Sequence, residues 1–147
     1  MAGDATGGMR RAPALAIMPV VAVFSADEDT VLLRPQLREA GYEPVGAYVR
    51  EIRDGTVDVL AFLRDHRPDA VVYDVEPPLK PNWNFVRLIR NAAGVRNPRF
   101  ILLTSDKRGL ERAIGRGAVN ELVFAKPYDP AEVLRAVRFV VDDHTVR

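Results

Sequence analysis

Residues 67–78 read Arg-Pro-Asp-Ala-Val-Val-Tyr-Asp-Val-Glu-Pro-Pro. The Arg67-Pro68 pair closes a helix. Ala70, Val71, Val72 and Tyr73 form a short apolar run, the length of a buried strand. Asp74 ends the run, and Pro77 and Pro78 forbid a simple continuation as helix or central strand. A carboxylate at the tip of a buried strand is costly unless it is solvated, paired or bound to a cation. Asp74 is therefore the first candidate for chemistry.

Working outward, the same grammar repeats. Val20–Phe24 is a continuous apolar run rich in β-branched residues, as in a strand covered on both faces. The acidic Asp27-Glu28-Asp29 suits a helix start, and a helix to about Ala40 carries Val31, Leu32, Leu33 and Leu37 on its apolar face, with a kink at Pro35. Val45–Val49 reads as a second strand. A second helix is expected over 56–65 with Val57, Leu60, Ala61 and Phe62 inward. Pro77, Pro78 and Pro81 make a loop, after which Phe85, Val86, Leu88 and Ile89 mark a third helix. Residues 91–98 read as a loop. Phe100–Leu103 is a strand ending in Thr104. A short helix around Leu110, Ala113 and Ile114 stops at Gly115 and Gly117. Leu122–Ala125 is the last strand, ending in Lys126-Pro127. Asp129-Pro130 caps a final helix with Val133, Leu134, Val137, Val140 and Val141 inward.

Strands of near-continuous apolar residues alternating with helices predict an α/β fold. It is a five-stranded parallel sheet with helices on both faces, in flavodoxin-like (βα)5 order. In such sheets the crevice at the carboxyl ends of the strands gathers the functional side chains. Those ends carry Ser25–Glu28, Asp74, Thr104 and Lys126.

The 147 residues are the length of one domain, with 48% hydrophobic and 28% charged residues. The reading divides them into a flexible leader over 1–17 and a domain over 18–147. The absence of cysteine excludes disulfides, thiolate zinc sites and cysteine nucleophiles. A net charge of +1 gives no electrostatic case for nucleic acid or a membrane surface, and no apolar run approaches the ~20 residues of a membrane helix. A cytoplasmic location is expected.

From about Val20 to Val141 the chain resembles the receiver domains of bacterial two-component response regulators. Asp74 stands at the phospho-acceptor position. Thr104 follows 30 residues later at the family's Thr/Ser position, and Lys126, with Pro127, 22 residues after that. Pro78 and the helical Phe85–Arg90 also fit. The resemblance implies phosphoryl transfer from a histidine kinase or phosphotransfer protein to the Asp74 carboxylate. A magnesium ion would shield the phosphoryl oxygens, Lys126 would supply a compact positive charge, and the Thr104 hydroxyl would donate. It also implies a signalling phosphoprotein, not an enzyme, which passes its signal to a downstream protein partner through the fourth helix and fifth strand.

The chain departs from that pattern at the metal. The family's adjacent acids at the end of the first strand fall here on Phe24 and Ser25, and Asp27, Glu28 and Asp29 come two or more residues late. Either the loop is shifted so that Asp27 or Glu28 still reaches a metal, or these acids only start the helix. The candidate metal set is Asp27, Asp74 and Glu76. The Glu76 side chain either replaces a missing ligand or sits in solvent, and Asp106 rims the site. The aromatic expected three residues before the lysine is Val123, with Phe124 beside it.

Elsewhere the residues have bland readings. Trp83 packs over the start of the third helix. His66 and His144 suggest no metal or triad. Lys107, Arg108, Arg112 and Arg116 make the fourth helix basic, a solvated face or a dock for an acidic partner. Phe139 on the outside of the last helix marks a dimer or partner surface. Gly115-Arg116-Gly117 precedes a strand and lacks a third glycine, so a phosphate-cradling loop is not present. The expected function is a stand-alone atypical receiver that accepts a phosphoryl group at Asp74. The alternative is a pseudo-receiver that only binds partners.

Overall fold

The computed structural model describes residues 18–92 and 99–146. The leader and most of the 91–98 loop fall outside the described residues. The strands are β1 (Val20–Ser25), β2 (Glu43–Tyr48), β3 (Ala70–Asp74), β4 (Arg99–Thr104) and β5 (Leu122–Ala125). The helices are α1 (Glu28–Val31), α2 (Leu33–Glu39), α3 (Val49–Arg53), α4 (Val59–His66), α5 (Leu79–Ala92), α6 (Lys107–Ile114) and α7 (Pro130–Val146), with a 3-10 turn over Gly115–Asn120. All strand pairs are parallel, in the order β2-β1-β3-β4-β5.

The sheet is covered on both faces, and the two-residue strand period sorts its side chains between them. Ala22, Phe24, Val71, Tyr73, Phe100 and Leu102 enter one core with Trp83, Val86 and Ile89 of α5. Val21, Val23, Ala70, Val72, Ile101 and Leu103 enter the other, against Leu33 and Leu37 of α2 and Val133, Val137 and Val140 of α7. Each fully buried aliphatic or aromatic side chain contributes about 1.5–3 kcal/mol. Burying both faces thus fixes the strand register, because a one-residue slip would exchange the two cores.

Four helical details differ from the sequence reading. The first helix breaks at Leu32, not at Pro35. Pro35 lacks the N–H that would bond the Val31 carbonyl, so the ladder parts there and Pro35 sits in the first turn of α2, where its N–H is not needed. The buried residues are then Thr30, Leu33 and Leu37, while Leu32 is exposed. Residues 49–53 were not expected to hold a helix. The Glu51 carboxylate accepts from the Tyr48 amide (3.0 Å), which starts α3. α4 begins later than predicted, with Asp58 accepting from the Ala61 amide (3.1 Å), and this turn buries Val59 and Leu63 and leaves Leu60 exposed. α5 begins at Leu79, so Pro81 lies in a first turn that tolerates it, and Leu88 faces solvent. Trp83 is buried in the core, with the Arg90 guanidinium 5.3 Å over its ring.

Candidate functional site

Five parallel strands end together, and the sorting of their side chains sets up the site. Asp74 follows Ala70 and Val72 on one side of β3, and Ser25 follows Val21 and Val23 on the same side of β1. That side is covered by α2 and α7, and the buried Thr30 of α1, just before α2, stands over the end of β3. Thr104 continues the opposite row, after Phe100 and Leu102.

The Asp74 side chain has no exposed surface. Its Oδ2 accepts from the Ala26 amide at 2.6 Å, and its Oδ1 accepts from the Thr30 hydroxyl at 3.0 Å. Lys126 Nζ lies 3.1 Å from the same Oδ1. The Lys126 ammonium also meets Asp27 Oδ2 at 2.8 Å and Glu76 Oε2 at 2.7 Å. Asp27 serves twice, because its Oδ1 caps α1 by accepting from the Thr30 amide at 3.0 Å. Asp27 thus starts the helix with one oxygen and turns the other to Lys126.

Burial pushes the Asp74 carboxyl above the ordinary carboxylate value, and the Ala26 amide, Lys126 and Thr30 pull it only part of the way back. Burial acts on Lys126 in the other direction, but the hydrogen bonds to Asp27 and Glu76 and the charge of Asp74 hold its ammonium above the usual lysine value. Burial also opposes the charged form of Asp27. The Lys126 and Thr30 hydrogen bonds outweigh it and keep the Asp27 carboxyl below its ordinary value.

Of the residues picked out in the sequence, Asp27, Asp74, Glu76 and Lys126 come together. Thr104 is buried nearby, and its hydroxyl accepts from the Asp106 amide at 3.2 Å. Asp106 caps α6 by accepting from the Gly109 amide. Glu76 does not sit in solvent. Its second oxygen accepts from both the amide and the hydroxyl of Ser105, and Asn82 donates to its main-chain carbonyl. Thr30 was missed. Its signal was spacing: residues 30, 33 and 37 lie on one helical stripe, which put a hydroxyl on the core-facing side. Ser105 and the Ala26 amide had no signal in side-chain chemistry.

Phe24 is packed in the core and Ser25 offers a buried hydroxyl, so the end of β1 brings no carboxylate. Among the described residues no three His, Cys, Asp or Glu side chains are arranged to hold a metal ion. Asp27, Asp74 and Glu76 converge on Lys126 Nζ instead. As arranged, these residues do not fit magnesium.

The sheet order, with Asp74 and Lys126 in one cluster at its carboxyl end and Thr104 beside it, is that of the flavodoxin-like receiver fold found in response regulators. Protein PilG of Pseudomonas aeruginosa is 28% identical over 101 residues, 69% of this chain and 74% of that protein. A response regulator receiver protein from Burkholderia phymatum is 26% identical with a TM-score of 0.61, over 84% of this chain and 95% of that one. A response regulator from Thermotoga maritima shares the fold at 23% identity and a TM-score of 0.64, over 86% and 99% of the two chains. No protein-family model matches the chain.

Proposed function

We propose that this receiver domain is a cytoplasmic signalling module that works by binding protein partners, with Asp74 serving as an internal anchor and not as a phospho-acceptor. The observation that carries this reading is the enclosure of Asp74. A carboxylate nucleophile must present a lone pair to the incoming phosphorus. Here the side chain has no exposed surface, and both oxygens are engaged by Ala26, Thr30 and Lys126. No helix among the described residues is long and apolar enough to cross a membrane. A partner surface is available where Arg108, Arg112 and a single acid, Glu111, of α6 line an open hollow of about 480 Å³ together with the exposed Val119. Its charge suits an acidic segment with an apolar anchor.

The test is an amide spectrum of the protein titrated with beryllium fluoride, a phosphoryl mimic, in the presence of magnesium. The resonances of Ala26, Thr30, Ser105 and Lys126 stay in place on this reading. A concerted shift of all four refutes it.

A second reading has its own support. Asp74 pairs with Leu103, and Thr104 pairs with Ala125, one residue before Lys126. This register gathers the three groups that phosphoryl acceptance from a histidine kinase or phosphotransfer protein would use. In that case the Lys126 cluster would have to open first.

A further inference from the structure

We propose that Lys126 is the resident cation of this site. Its ammonium takes, from within the chain, the place among Asp27, Asp74 and Glu76 that a divalent metal takes in a receiver domain. The closed arrangement then holds without metal. This goes beyond the reading above, because a site closed to a phosphodonor can still bind a cation.

A lysine ammonium has three N–H donors and no acceptor. Lys126 Nζ meets three carboxylates, each from a different segment: the α1 cap, the end of β3 and the loop after it. The contacts are 2.8, 3.1 and 2.7 Å, so every N–H has a charged partner. These are hydrogen-bond lengths. Magnesium would need oxygens at about 2.0–2.1 Å, and calcium at about 2.3–2.6 Å. A metal entering here would also have to expel the ammonium, whose side chain is only 12% exposed, and leave it without partners. The outer oxygen of Glu76 is held by Ser105, and the remaining Asp74 oxygen by the Ala26 amide, so the carboxylates are fixed from behind. The end of β1 agrees with this arrangement. The Ser25 hydroxyl is buried without a hydrogen-bond partner at one of the two positions where the receiver pattern calls for an acid.

The test is the thermal midpoint of the wild type and of Lys126→Met, each in manganese chloride and in sodium chloride of matched ionic strength. The wild type should move by less than about 1 °C. The variant, left with three facing carboxylates, should rise by roughly 5 °C in manganese. A manganese-dependent rise in the wild type that disappears in Asp27→Asn overturns the proposal, as does a variant that ignores manganese. Should Lys126→Met fail to fold, the paramagnetic signal of free manganese titrated with wild-type protein decides. An undiminished signal supports an internal cation, and the loss of one equivalent overturns it.

Discussion

Replacing Lys126 by methionine keeps the length of the stem and removes the charge. The largest loss falls on Asp74, which is fully enclosed, while Asp27 and Glu76 retain 44% and 24% of their side-chain exposure and can turn to water. Removing one partner of a buried ion pair costs about 3–5 kcal/mol, and exposed pairs add about 0–1 kcal/mol each. Asp74 keeps its Ala26 and Thr30 bonds, so the lower end, about 3 kcal/mol, is expected. An unfolding entropy of about 0.3 kcal/mol/K for a chain of this length turns that into a drop in Tm of about 10 °C. The pH dependence carries more information than the drop. The Lys126 value is raised, so its ammonium is present throughout the acid and neutral range, and its contribution is lost only as pH rises through the raised value. In the variant, Asp74 loses one of the groups that lower it, so its folded value climbs further above that of the unfolded chain. The folded variant then takes up a proton that the unfolded chain does not, and its stability rises as pH falls. Thermal melts followed by circular dichroism should show the gap to wild type narrowing as pH falls toward the unfolded carboxylate value of 3.8. A drop below about 3 °C, or a gap that does not change with pH, would refute the reasoning.

Thr30→Val leaves the Asp74 carboxylate one donor short at constant side-chain volume, and should lower stability by about 1.5–3 kcal/mol in chemical denaturation. Asp27→Ala removes the α1 cap and one Lys126 partner, and should cost about 1 kcal/mol near neutrality. Because the folded Asp27 value is depressed, that contribution is present above the unfolded value of 3.8 and lost as pH falls through the folded one, so wild type and variant should converge in acid melts. Gly46→Ala drives a methyl into the Val23 carbonyl and to 2.5 Å from the Arg34 guanidinium, and should destabilise by about 1–3 kcal/mol with loss of amide protection along β2.

The strands were legible because burial on both faces writes them as unbroken apolar runs. Ala70–Tyr73 needed no partner information, and the placement of Asp74, Thr104 and Lys126 at strand ends followed from it. Helix limits were less legible where capping overrides apolar content. Leu32 and Leu60 look like core residues but face solvent, because Pro35 and the Asp58 cap set the phase of their helices. The composition of the site was only half legible. Asp27 and Glu76 read either as candidate metal ligands or as a helix cap and a solvated loop acid, since nothing local shows that both turn toward one ammonium from 99 and 50 residues away. Thr30 was hidden for a simpler reason: a threonine in a first helical turn has an ordinary local explanation.

The enclosure of Asp74 is tested most directly by intact-mass analysis after incubation with a small-molecule phosphodonor, with and without magnesium, of the wild type and of Asp74→Asn. No added phosphoryl group is expected on either protein under either condition. A magnesium-dependent phosphoryl mass on the wild type that is absent from Asp74→Asn would contradict it.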